Sequence, residues 1–481
     1  MIRNIISTPK NLVFTGTLIF MLFAQPVKAQ YYNTIYWMQG IPQASYSNPG
    51  VQPNANFYLG FPGVSSLYLG LSHSGFAPED LIKRNENGTS FYIDDQAMLD
   101  KLERNNFLSF DFQTDILGFG FRSKKDYISF NIAEKVGTRM GYSRDLMRLL
   151  VDGNDYFLQQ GVAQGNDVPA ELGRLSLDAI HYREFGVGYS RQWTEWLTAG
   201  IRAKALQGMG NVFFEKTDLN LTTKPNNYEL LLNADLLVNT SLLFQLSPLD
   251  SIGNDTYFEV DEDDLINYVT NTGNLGVAID LGANFRISDK FNVAFSILDL
   301  GLIDWKSDVE NFSMQGEFEY NGIDFNDFFG EDDDDPFEQI IDSIQGVFDI
   351  EETSNSYRTM LPTKLFVSAA YSPGRKHKFA LLGRGEYFAG TLYPSFTASY
   401  NLQVAPMLGT SISYSVIHWN YNNVGFGLHL NLGPLQFYTV VDNFLGGLRP
   451  HTLQTATVHF GLNIVTGYRQ KSDPAAPSIR W

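Results

Sequence analysis

Residues 275–297, LGVAIDLGANFRISDKFNVAFSI, decide the fold. Leu275, Val277, Ile279, Leu281, Ala283, Phe285 and Ile287 alternate with Gly276, Ala278, Asp280, Gly282, Asn284 and Arg286. After Ser288-Asp289-Lys290 the alternation resumes, with Phe291, Val293, Phe295 and Ile297 set against Asn292, Ala294 and Ser296. Successive side chains of a strand point to opposite faces, so this is a β-hairpin with one continuous apolar wall and one small or polar wall.

The same period recurs through the chain. Leu108, Phe110 and Phe112 oppose Ser109, Asp111 and Gln113; Ile128, Phe130 and Ile132 oppose Ser129 and Asn131; Leu197 to Ala203 follow suit against Arg202 and Lys204. Beyond residue 362 the candidate strands run almost without interruption: 363–371, 377–388, 393–404, 407–417, 424–432, 435–441 and 455–468. Glycines two apart (Gly118 and Gly120, Gly186 and Gly188, Gly425 and Gly427) suit a crowded inward face, and none extends to a dinucleotide-binding loop. Segments of about ten residues with this alternation are the signature of a membrane barrel. The expected architecture is all-β: a transmembrane antiparallel barrel of about 14 strands, from a range of about 12 to 18, with short helices in long loops. Tight turns mark one rim, and excursions over 134–173, 245–272 and 302–361 mark the other.

The start of the chain sets the compartment. Arg3 and Lys10 precede an apolar run, Leu12 to Ala24, too short for the roughly 20 residues of a membrane helix, and Val27-Lys28-Ala29 forms a cleavage site. Residues 1–29 therefore read as a secretory signal. No later stretch is apolar over 18 residues, so the membrane option left is a closed sheet, which satisfies every backbone group in lipid. The chain has no cysteine, which removes both disulfides and lipidation at a processed N-terminus. The formal charge is −19, and the signal carries three basic and no acidic residues, so its removal leaves −22. That balance disfavours nucleic acid and anionic headgroups as bulk partners.

The remaining chain divides into an inner segment, 30–62, rich in Asn, Gln, Pro and Gly; a barrel, 63–468; and a tail, 469–481. Short helices are expected near 94–105, around Leu146, Leu149 and Leu150, and after Asp335-Pro336, where a cap and a first-turn proline coincide. Trp193, Trp196, Trp305 and Trp419 fall near strand ends, where interfacial girdles form.

Ser47-Asn48-Pro49-Gly50 and the strand 66–72 resemble the N-terminal region of fatty-acid-transporter-like barrels and of barrels associated with type IX secretion and gliding. The nearer resemblance is to an uncharacterised family of outer-membrane barrels, a domain of unknown function. It rests on 57–63 (FYLGFPG) leading to 67–76 (LYLGLSHSGF), on 127–135 (YISFNIAEK), on 361–365 (LPTKL), and on 433–438 (GPLQFY) running into Asp442-Asn443. The resemblance implies a barrel of about 14 strands in the outer membrane of a Gram-negative cell, and it brings no established activity.

Chemistry-bearing motifs are few. None of the seven histidines has metal-helix spacing, and no Gly-x-Ser-x-Gly elbow marks a hydrolase, so an enzyme is not expected. His429 and His459, placed on neighbouring late strands with Asn431 and Asn463, would form a lumen patch or a hydrogen-bonded interior network. Arg202, Lys204, Asp280, Arg286, Arg384 and Glu386 fall on polar faces and would either line a channel or pair into networks that fill it. Asp332, Asp333 and Asp334 in the run 331–335 offer hard oxygens to calcium, beside the plainer reading of a solvated loop; no other cofactor is expected.

Two roles follow. One is a channel or transporter for a small solute, hydrophobic ones included. The other is a non-conducting contact between the long acidic loops and an envelope or secretion protein; outer-membrane lipid is a partner in both. N-terminal sequencing of the exported protein is expected to begin at Gln30, and a chain retaining Met1 would contradict the signal assignment.

Overall fold

The computed structural model describes residues 33–85, 87, 90–224, 229–242, 262–320, 349–388, 391–417, 420–448, 451 and 454–468. The signal (1–29), the tail (469–481), the helix expected after Asp335 and Trp419 lie outside the described residues.

Fourteen antiparallel strands close into a barrel. The first, β1, comes in two halves, Ala55–Gly60 and Leu67–His73. Then follow β2 (Asn105–Ser123), β3 (Asp126–Ser143), β4 (Ser176–Gln192), β5 (Leu197–Thr223), β6 (Leu275–Arg286) and β7 (Phe291–Trp305). The eighth, β8, is again split, Tyr357–Met360 and Thr363–Tyr371, the break falling at Leu361-Pro362. The ring continues through β9 (His377–Phe388), β10 (Thr391–Ala405), β11 (Leu408–Ile417), β12 (Asn420–Leu432), β13 (Leu435–Val441) and β14 (Thr455–Tyr468). β1 pairs with both β2 and β14, which closes the ring and leaves the barrel wall without an edge.

The wall is polar inside and apolar outside, the inverse of a soluble protein. On β8, Lys364, Phe366, Ser368 and Ala370 are buried while Val367 is 57% exposed; on β11, Ser411, Ser413 and Ser415 are buried while Ile412 is 55% exposed. The exposed belt continues through Phe57, Leu69, Val187, Ile201, Val277, Phe295, Leu381, Phe396 and Phe437. Water would penalise such a belt and lipid does not, so the chain is a transmembrane barrel.

Three features depart from the sequence reading. First, the barrel starts at Ala55, inside the stretch given above to the inner segment. Phe57 points out and Tyr58 in, but flanking Asn and Pro obscure this short alternation. Second, the excursions hold more strand than expected. β3 runs on to Ser143, and Val309–Tyr320 and Asp349–Thr353 pair within what reads as a loop. β5 spans 27 residues, against about ten for a membrane strand. Its outer half pairs with Leu230–Ser241, which pairs with Val309–Tyr320, so a sheet continues past the membrane. Beyond lipid both strand faces can be polar, and the alternation that reveals a strand disappears. Third, Trp305 is fully buried and its indole N–H donates to Thr359 Oγ1 at 2.8 Å; it packs in the interior and does not sit in a girdle. Trp193 and Trp196 are exposed at the β4–β5 turn.

The described helices are short; besides single turns at Pro78–Leu81 and Phe444–Leu448 they are α1 (Asp95–Lys101), capped by the Asp94 carboxylate, α2 (Arg144–Asp152), capped by Ser143, α3 (Asp155–Gln164) and α4 (Glu262–Thr270). All sit at the long-loop rim, and none of the described helices is long and apolar enough to cross a membrane.

Val367→Arg, at the centre of the exposed belt, is expected to destabilise the barrel by about 2–4 kcal/mol in urea titrations from lipid vesicles. Lys376→Glu, in the β8–β9 turn, should leave the midpoint within about 0.5 kcal/mol of wild type.

Candidate functional site: the filled lumen

The N-terminal segment is an internal plug. From Asn33 to Asn54 all residues but Gly40 are buried, in two 3-10 turns, Ile35–Trp37 and Pro42–Tyr46. Its sequence explains why it is not a strand. Pro42 starts a turn, Ser45 Oγ donates to Pro42 O (2.8 Å), Ser47 Oγ donates to Ala44 O (2.7 Å), and Asn48 Oδ1 accepts from Gly50 N (2.8 Å). These local bonds compete with any ladder.

The plug reaches walls all round the barrel. Gln43 and Asn463 of β14 exchange amide hydrogen bonds of 2.8 and 3.0 Å. Asn463 and Asn431 are joined through Gln436 (3.2 and 2.8 Å), whose amide also donates to Gly40 O at 2.8 Å. Ser296 Oγ of β7 donates to Ser47 O at 2.7 Å. Lys378 of β9, fully buried, donates to Gln39 Oε1 at 2.7 Å and lies 5.0 Å from the Trp37 ring centre. Tyr46 donates to Asp115 Oδ2 of β2 at 2.9 Å, while the Arg202 guanidinium stacks 4.3 Å from the Tyr46 ring centre. Burial, then the neighbouring Asp115 charge, holds the Tyr46 phenol well above its ordinary pKa, so it remains a donor. Wall glycines make room. A side chain at Gly200 or Gly282 would overlap Pro49 and Asn48, and one at Gly427 would overlap Met38.

Toward the long-loop rim, the plug gives way to ion pairs. Lys204 Nζ lies 2.7 Å from Asp280, 2.6 Å from Asp299 and 3.5 Å from Glu184. Lys135 pairs with Glu184 and Lys364 with Asp299, each at 2.6 Å. A bulge in β7 builds this cluster. The β6–β7 register shifts opposite Asp280, Asp299 takes a left-handed backbone (φ 57°), and its N–H donates to Asp280 Oδ1 at 2.8 Å. Both Leu298 and Asp299 are thereby buried. A second group, Arg139, Asp111, Arg384 and Glu386, includes an Arg139–Glu386 pair of 3.0 Å. Arg139 is on β3 and Glu386 on β9, so this pair crosses the lumen. Phe107 of β2 meets Tyr393 of β10 beside it, ring centres 5.8 Å apart.

Outside this floor is a cavity of about 560 Å³, lined among others by Phe107, Tyr393, Phe214, Leu392, Arg174 and Glu215. It is a vestibule of mixed polarity.

Of the residues singled out from sequence, Arg202, Lys204 and Asp280 come together in one cluster, and Arg384 and Glu386 in the other. His459 bridges Ser66 Oγ (3.0 Å) and Tyr438 Oη (3.1 Å), behind the break between the halves of β1. His429 packs over Gly409 and beside Gly427, which touches Met38 of the plug. The two histidines are not on neighbouring strands, because β13 lies between β12 and β14. Arg286 ends β6 at the short-turn rim, bonded to the Glu195 carbonyl, apart from the lumen groups. Asp332, Asp333 and Asp334 lie outside the described residues.

Sequence reasoning passed over Asp299, Glu184, Lys135, Arg139 and Lys378. Period-2 counting could have placed Glu184 and Lys378 inward, but Asp299 depends on the bulge, which breaks the period.

A model of the family described as "Family of unknown function (DUF5723)" matches residues 49–442. The chain belongs to this family. No curated protein matches the DUF5723 sequence described here. Among solved structures, the barrel is similar to the Pseudomonas putida toluene transporter TodX (TM-score 0.36, 11% identity, 91% of this chain and 97% of that one). It is also similar to the Ralstonia pickettii toluene transporter TbuX (0.37, 9%, 88% and 91%) and to a Pseudomonas aeruginosa FadL homologue (0.39, 8%, 92% and 95%).

Lys204→Met in this DUF5723 barrel would leave Glu184, Asp280 and Asp299 short of a cation in a water-poor interior. The expected loss is about 3–5 kcal/mol in vesicle unfolding. Adding Asp280→Asn should restore part of it, and a double variant no better than the single would refute the coupling.

Proposed function

We propose that this barrel sits in the outer membrane of a Gram-negative cell, long-loop rim outward, as a channel for a small, partly apolar solute, held here in a closed state. The observation that carries this reading is the vestibule ending on a floor of ion pairs above a plug. A barrel filled only for stability needs no recess at its outer mouth, whereas an uptake channel needs a place to load solute. The lining, aromatic rings interleaved with Arg174 and Glu215, suits a solute with an apolar body and a polar handle. The plug is held by hydrogen bonds, rings and one buried lysine, all reversible contacts. Transit would break the Arg139–Glu386 crossing and shift the segment 33–54. A second reading, contact with an envelope or secretion protein, draws on the sheet that β5 carries past the membrane.

Planar-bilayer recordings test the first reading. Wild type is expected to conduct little, and deletion of residues 33–54 to open steady conductance in a barrel that still shows heat-modifiable migration. In parallel, Phe107→Ala with Tyr393→Ala should weaken binding of N-phenylnaphthylamine at least about tenfold, the equivalent of about 1.4 kcal/mol. A folded deletion variant without conductance would overturn the channel.

A further inference from the structure

On the outward face of β3 and β4, charged side chains interrupt the apolar wall. Glu134 shares its face with Ile128, Phe130 and Ile132, and His181 and Arg183 share theirs with Phe185, Val187 and Tyr189. Arg183 Nε donates to Glu134 Oε1 at 2.6 Å, and His181 Nε2 lies 3.3 Å from Glu134 Oε2. Charged groups on a lipid-facing wall are costly, least so near the interface, and this triad is covered by protein. α4 lies over it. Tyr268 Oη and His181 Nδ1 share a hydrogen bond of 2.7 Å, and a side chain at Gly210 would come within 3.0 Å of that hydroxyl. The end of the helix is pinned as well, since Gln207 Nε2 donates to Val269 O at 3.1 Å and to Asn271 O at 2.7 Å.

This docking fixes the height of the helix. Gln207 pairs in register with Leu275, the first residue of β6, and Leu275 and Val277 are 57% and 65% exposed in the apolar belt. The end of α4 is therefore level with the outer edge of the belt, on the outside of the barrel and away from its mouth. Ile266 and Val269, three apart on one helix face, are 59% and 42% exposed there. In water this apolar pair would be a liability; beside the belt it continues an existing lipid contact.

We infer that α4 is a membrane-interface helix: the Glu134–His181–Arg183 triad clamps it flat against the outer wall, and Ile266 and Val269 enter the acyl boundary of the surrounding outer-leaflet lipid. Short amphipathic helices lie in this plane with the apolar face buried about 5–10 Å.

The chain has no cysteine, so single cysteines can be introduced cleanly. Full-length protein carrying Ile266→Cys, Val269→Cys or, in the short turn, Lys376→Cys is labelled with a nitrobenzoxadiazole dye and folded into phosphatidylcholine vesicles. Labels at 266 and 269 are expected to be quenched by nitroxide-bearing lipid and shielded from aqueous iodide, with the label at 376 behaving oppositely. Tyr268→Ala, which leaves every barrel strand intact, should release the helix, so the 266 label loses lipid quenching and gains iodide quenching. Iodide quenching at 266 and 269 equal to that at 376 would overturn the lipid contact. Lipid quenching unchanged in Tyr268→Ala and in His181→Ala, with heat-modifiable migration retained, would overturn the clamp.

Discussion

A bilayer offers no hydrogen-bond partner to the backbone, and everything else in this molecule follows from that constraint. Every strand must pair on both sides, so β1 closes against both β2 and β14, and side chains alternate between lipid and lumen. Once lipid claims the apolar half of each strand, the polar half has nowhere to go but inward. Fourteen strands enclose more space than those side chains fill, and burying charge without a counter-charge costs several kcal/mol per ion. The interior must therefore neutralise itself. Lys204 among Asp280, Asp299 and Glu184 is that solution in its most concentrated form.

The plug meets the same requirement by other means. Near the short-turn rim the wall offers amides, hydroxyls and glycines in place of ion pairs, and the segment 33–54 matches it with Gln39, Gln43, Ser47 and Asn48. Because these residues belong to the chain that immediately enters β1, the plug is tethered at Ala55. Its loop-closure cost is small, and a displaced plug would find its seat again.

What the sequence displays is what lipid enforces. The hairpin 275–297 reads correctly because each of its outward residues faces hydrocarbon, and the inward placement of Arg202, Lys204, Asp280, Arg384 and Glu386 follows from the same count. Legibility fails wherever lipid stops dictating. The outer half of β5 is a strand whose two faces are both free to be polar. Trp305 lies past the β7 bulge, where inward and outward exchange. Asp299 sits in a left-handed bulge, and one extra residue is invisible to a period of two. Arg139 and Glu386 are far apart in sequence and on opposite walls, and only ring closure through all the intervening strands brings them to 3.0 Å.

The two kinds of contact inside the lumen differ in what breaking them requires. Pairs such as Lys204–Asp280 and Lys364–Asp299 join neighbouring or near-neighbouring strands, so they stiffen the wall and can persist in any open state. Arg139–Glu386 and Phe107–Tyr393 span the bore, so they stand in the path of a solute and must part to admit it. When Arg139 swings away, Asp111 remains at its side and Arg384 remains on Glu386, so neither charge is stranded. The second partner on each wall makes the crossing pair cheap to open, in contrast to a lone buried pair, whose rupture leaves two uncompensated charges. The stability of the barrel and the permeability of its bore can therefore rest on different side chains, and a closed lumen need not be a permanently sealed one.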